Sequence, residues 1–118
     1  MMRRLLVIGA ALAALAACDM IERDPMAQNR AICAGDSGAA AERIAACSAL
    51  IDSGELDEAA RAQAQAHRGA AYREAGEVTP ALRDFEAALR VDESNAEALA
   101  GRAYILVASG QLDAAQVF

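Results

Sequence analysis

The feature that most constrains this chain is that it overlays itself after a shift of 34 residues. Ala62, Ala64, Ala66, Arg68, Gly76 and Ala81 fall on Ala96, Ala98, Ala100, Arg102, Gly110 and Ala115. Alanine coincidences carry little weight in so alanine-rich a chain. The arginine and glycine matches carry more, and Gly-Glu-Val against Gly-Gln-Leu extends them past the turn. A period of this length means a stack of like units, none of which can bury its apolar face alone. The units are helical. From Ala39 onward alanine, leucine, glutamate and arginine dominate, aromatic residues make up only 3% of the chain, and no sustained period-2 pattern occurs.

The breaks divide the chain into about five helices. Ser53-Gly54 ends a first helix that begins near Ala39 and carries Ile44, Cys47, Leu50 and Ile51 on its apolar side. A long helix runs from about Leu56 to Ala75, and Gly76 stops it. Thr79-Pro80 reads as an N-cap and first-turn proline for the next helix. That helix gathers Ala81, Leu82, Phe85, Ala88 and Leu89 into one stripe. Ser94 with Glu97 reads as a capping box for a fourth helix ending at Ser109-Gly110, and a fifth starts near Leu112. Upstream, Asp19 to Arg30 reads as a polar tether and Cys33 to Gly38 as a turn-rich loop.

Period and residues together resemble the tetratricopeptide repeat. Gly69, Tyr72, Gly76, Ala81, Phe85 and Ala88 stand at that family's spacing of small, aromatic, turn and packing residues, and Ala103, Leu106, Gly110 and Ala115 repeat the pattern. The physical demands fit: Gly69 and Ala81 permit close helix approach while Tyr72 and Phe85 fill the space around them. Glu93 replaces the family's proline, and Gln65 and Leu99 stand where its early tryptophan would. The resemblance implies a short right-handed α-α superhelix over residues 55–118, with units at about 62–95 and 96–118, the second incomplete. Arg43-Ile44-Ala45-Ala46-Cys47-Ser48 resembles the leader helix of exported proteobacterial members, so residues 33–54 are expected to cap the array.

The N-terminus supplies an address. Arg3 and Arg4 precede an apolar run from Leu5 to Ala17 that ends Leu15-Ala16-Ala17-Cys18. As a helix that run would measure roughly 20 Å, short of a hydrocarbon core of about 30 Å. Basic residues, a short apolar stretch and small residues before a cut site describe an export signal over residues 1–17. Leu-Ala-Ala-Cys resembles the lipobox of bacterial prolipoproteins, which implies acylation of Cys18 and a lipid-anchored tether over 18–32. The alternative is an ordinary cleaved signal releasing a soluble periplasmic binding module. Asp19 resembles the inner-membrane retention signal of enterobacterial lipoproteins, so either membrane of the envelope fits.

Cleavage would leave 101 of the 118 residues, enough for one domain, and would take the formal charge from −6 to −8. An acidic body without a single lysine repels nucleic-acid phosphates and anionic headgroups, so membrane contact falls to the acyl chains. With Cys18 assigned to lipid, Cys33 and Cys47 remain as an even pair in an oxidising compartment. A bond between them would close a loop of about 15 residues and stabilise by roughly 3 kcal/mol. Two buried thiols, or a metal site shared with His67, are the alternatives. In the leader helix that this segment resembles, the cysteine often pairs with one upstream, which implies the Cys33–Cys47 disulfide.

No catalytic constellation stands out, and no cofactor or metal is expected. His67 is the only histidine, so every Ser-His or Cys-His pair would have to use it. The acidic pairs Asp57-Glu58 and Asp92-Glu93 lie at helix boundaries, the first where carboxylates favour the helix dipole. What remains is a surface. In tetratricopeptide arrays the first helix of each unit lines a concave groove for peptides or partner proteins. Carried over, its places fall on Gln63, Ala66, Ala70 and Arg73, then on Glu97, Ala100, Tyr104 and Val107. Arg73 and Tyr104 are the expected anchors. Family members that clamp a C-terminal carboxylate use lysine, arginine and asparagine in the groove, and Ala66 and Ala70 occupy places where those would stand, so that binding mode is set aside. Leu112, Ala115 and Phe118 form an apolar edge suited to self-association or partner docking. The expectation is a non-enzymatic envelope lipoprotein that docks an envelope protein or peptide, with a structural or truncated repeat protein as the alternative.

Overall fold

A computed structural model describes residues 24–35 and 37–110. The export signal, Cys18, the start of the tether and the Leu112–Phe118 edge lie outside them. Five helices account for most of the described chain: α1 Pro25–Ala34, α2 Ala40–Asp52, α3 Glu58–Glu74, α4 Val78–Val91 and α5 Ala96–Ala108. No strand occurs among the described residues, so the all-α reading holds. No described helix is long and apolar enough to cross a membrane.

The set of five differs from the expected one at its N-terminal end. The stretch read as a tether is helical from Pro25 onward, so a further helix precedes the one expected from Ala39. Asp24 caps α1 by accepting a hydrogen bond from the Met26 N–H at 3.0 Å, and Pro25 occupies the first turn, where a missing N–H costs nothing. Cys33 sits in the last turn of α1 and not in the following loop. That loop turns at Gly38, whose φ of 101° excludes most side chains.

Two other helix starts also move. α4 begins at Val78, one residue before Thr79, and has no side-chain cap. The chain has already reversed there, because the Glu77 N–H donates to the Tyr72 carbonyl at 2.9 Å around Gly76, with φ of 79°. Pro80 is tolerated within the free N–H groups of the first turn. At α5 the cap is Asn95, whose Oδ1 accepts from the Ala98 N–H at 3.0 Å. Ser94 is committed elsewhere, donating both its N–H and its hydroxyl to Asp92 Oδ1.

Packing follows chain order. α1 and α2 form one helix-turn-helix pair and α3 and α4 a second, with α5 packed on α4, while α3 also meets α1 and α5. This arrangement is compatible with a small helical solenoid. The core falls into two clusters joined by α3. Ala64 faces Cys33, Ala46, Cys47 and Leu50 of the first pair, whereas Ala62 and Ala66 face Phe85, Ala88, Ala98 and Ile105. Phe85 is fully buried and wedged between two glycines: a Cβ on Gly69 would lie 2.7 Å from its ring, and one on Gly101 only 2.3 Å. Gly69 was legible as a close-approach residue; Gly101 was not.

The 34-residue register reappears as burial. Ala64 and Ala71 of α3 are buried, as are their counterparts Ala98 and Ile105 of α5. Ala62, Ala66 and Gly69 are buried in α3, while their counterparts Ala96, Ala100 and Ala103 are exposed. α5 thus shows the face that α3 covers.

Candidate interaction groove

Three cavities follow one another along α3 and α5, and Arg73 lines all of them. The first, about 320 Å³, lies where the end of α1 meets α3 and is walled by Arg43, His67, Arg73, Glu74 and Glu97. The second, about 260 Å³, has Ala70, Glu97, Ala100 and Tyr104 around it, with Phe85 and Gly101 beneath. The third, about 230 Å³, is more apolar and is lined by Val78, Tyr104, Ile105 and Ala108.

Arg73 reaches these cavities from the last turn of α3, where a cation also complements the helix dipole. Its guanidinium carbon lies 4.7 Å from the Tyr104 ring centroid, within cation–π range. Tyr104 remains 59% exposed, so the stack is an open one that a partner could cover. Beside it, His67 Nδ1 lies 2.8 Å from Glu97 Oε2, which draws Glu97 back against α3.

The expected groove residues divide into two groups. Arg73, Glu97 and Tyr104 are brought together, with Ala70 and Ala100 between them. Gln63 lies one step along α3, in a separate apolar cleft with Leu50, Leu56 and Ala64. Val107 is 63% exposed and lines none of these cavities. Ala66, placed on the groove by register, is fully buried against α4 and α5. Among the lining residues that were not foreseen are Arg43 from α2 and His67 from α3. Neither carries a periodic signal, since each converges on the cavity only through the packing of α2 and α3.

The scaffold behind the groove is tied by charge. Asp84, buried on α4, accepts from Arg68 Nε and Nη2 at 2.7 Å each, and Arg68 Nη1 donates to Ser48 Oγ of α2 at 3.2 Å. One arginine therefore links three helices. The hydrogen bonds to Asp84 hold its pKa above the ordinary arginine value, so the guanidinium stays charged at any working pH. At the α4–α5 turn, the hydroxyl and N–H of Ser94 lower the pKa of Asp92.

Cys33 and Cys47 are at disulfide distance, with sulfurs 2.11 Å apart, and both are buried. No cluster of three or more metal-ligating side chains occurs among the described residues. No protein-family model matches the chain, and neither a curated protein nor a solved structure shows significant similarity to it.

Proposed function

We propose that this chain is a non-enzymatic, lipid-anchored protein of the bacterial envelope whose tetratricopeptide-like array docks a partner protein or peptide. The observation that carries the reading is the open Arg73–Tyr104 stack shared by neighbouring cavities. Arginine and tyrosine are the residue types that most often concentrate interface energy, and here they are held side by side on helices rather than on loops. The address rests on the export signal and on the lipobox-like ending at Cys18. Membrane attachment is then through acyl chains and not through the acidic body.

The test is capture of the full chain, tagged after Phe118, from detergent-solubilised envelopes after mild cross-linking. A double variant, Arg73→Ala with Tyr104→Ala, serves as control. The docking reading expects one or two envelope proteins that are lost in the variant. Recovery of nothing specific by either protein favours a purely structural or truncated repeat protein. Replacing Cys18 by serine is expected to move the protein from the membrane to the soluble fraction. Unchanged fractionation would favour a soluble binding module.

A further inference from the structure

Glu97 sits between two cations of different kinds. It lines two of the groove cavities together with Arg73, and in the first of them it also meets His67. Its carboxylate is taken by the histidine, with Oε2 2.8 Å from Nδ1, the separation of a charge-assisted hydrogen bond. Arg73 makes no ion pair among the described residues and lays its guanidinium on the Tyr104 ring instead, 4.7 Å from the centroid. Glu97 and Arg73 are therefore alternative partners for one another within the same cavities.

The two cations differ in what pH does to them. Arginine stays charged throughout, whereas histidine changes charge between about pH 5 and 8. The other groups around His67 do not blur this. Arg30 and Cys33, the latter bonded to Cys47, face it from α1, Arg43 faces it from α2, and Glu74 lies on its own helix. Arg43 and Glu74 are paired with each other, and disulfide sulfurs do not titrate. Ordinary arginine and carboxylate values lie outside that range. While the imidazole is protonated, a move of Glu97 to Arg73 would strand a positive charge in a part-buried place and cost the Arg73–Tyr104 stack as well. Once it is neutral the first cost disappears, and a guanidinium is the stronger partner for a carboxylate.

We infer that His67 is a proton-operated latch on the groove. Protonated, it holds Glu97 against α3 and leaves Arg73 stacked on Tyr104; neutral, it releases Glu97 to Arg73 and the guanidinium is drawn off the ring. The His67 and Glu97 side chains are 22% and 38% exposed, so water weakens the pair and the two populations are expected to shift about fivefold rather than completely. The latch is a property of the chain alone. Only its consequence, tighter docking under mildly acid conditions, rests on the docking reading given above.

His67 is the only histidine, so a single imidazole signal in carbon-13 NMR reports its charge. The full chain in detergent micelles is titrated from about pH 5 to about 8.5 while the Arg73 Nε–Hε and Tyr104 ring signals are followed. Both are expected to shift with the His67 midpoint, and to stay flat in His67→Gln and in Glu97→Gln. Glu97→Gln should also lower the His67 midpoint by about 0.5 pH or more, because the imidazolium loses its carboxylate. Should His67→Gln lose its helical circular dichroism, Glu97→Gln, on the more exposed side chain, carries the test. The latch is overturned if the Arg73 and Tyr104 signals stay flat while His67 titrates, or if they move equally in either variant. A His67 midpoint that Glu97→Gln leaves unchanged or raises overturns it as well. Capture of partners from envelopes, which tests the docking reading, uses none of these signals, so each can fail without the other.

Discussion

Replacing Gly101 by alanine isolates the closest contact in the core. Gly101 lies within α5 and is not at a positive φ, so its backbone could carry any side chain. At such a helical position alanine is normally better than glycine by about 1 kcal/mol. Here the added Cβ would stand 2.3 Å from Phe85 Cζ and 2.5 Å from Cε2. Phe85 cannot retreat, because its other edge already meets Gly69 and it is fully buried. Overpacking of this kind costs about 1–3 kcal/mol beyond any propensity gain, so Gly101→Ala is expected to lower stability by about 1–3 kcal/mol. Phe85→Leu removes the ring atoms that the methyl would strike. In that background the same substitution should stabilise by up to about 1 kcal/mol, the ordinary helix gain. The sign reversal makes a coupling of roughly 2–4 kcal/mol, within the reach of a double-mutant cycle. Urea unfolding followed by circular dichroism measures all four chains. If Gly101→Ala is neutral or stabilising in the native background, the wedge has been misread.

Three further outcomes are expected. Asp84→Asn leaves Arg68 without its charge partner between three helices; since about a fifth of the Arg68 side chain reaches solvent, a loss of about 2–3 kcal/mol is expected in urea unfolding, below the 3–5 of a fully buried pair. Ser94→Ala should raise the Asp92 pKa towards the ordinary value of 3.8, as read from its carboxyl carbon by NMR. In the native chain the depressed pKa adds a small stability that is present above the ordinary carboxylate value and lost as pH falls through the depressed one, and the variant should lack the hydroxyl's share of it while the backbone N–H keeps its own. Reducing the Cys33–Cys47 pair should cost roughly 3 kcal/mol and strip amide-exchange protection from α1 first, because Cys33 is the only buried residue of that helix.

Helix ends marked by glycine were legible without a structure. Gly54, Gly76 and Gly110 all take positive φ, as a residue just past a helix must when its backbone turns left-handed. Starts were harder, because several polar residues compete for each. Ser94 loses to Asn95 since its own hydroxyl is drawn to Asp92, and Glu97, the other half of the expected capping box, lies against His67. Asp24-Pro25 is as good a start signal as any in the chain, yet with only Met26 and Cys33 to point inward α1 has almost no apolar stripe. Its helix is decided by docking onto α2 and α3. The groove was half legible: repeat register carried Arg73, Glu97 and Tyr104 to one place, but register cannot reveal Arg43, which arrives from a different unit.

The buried interior is made mostly of alanine, including Ala46, Ala62, Ala64, Ala66, Ala71, Ala81, Ala88 and Ala98. Such an interior changes what drift can do to the chain. A core of leucine and phenylalanine usually fails by truncation, when a large side chain is lost and a void is left. Alanine has almost nothing to lose. Every amino acid that one base change can reach from an alanine codon is larger, glycine excepted, so random substitution here pushes helices apart instead of hollowing them out. Selection on this protein therefore acts as a ceiling on side-chain volume, and its tolerated variation should gather on the outward faces of α2 and α4, where added size meets only water.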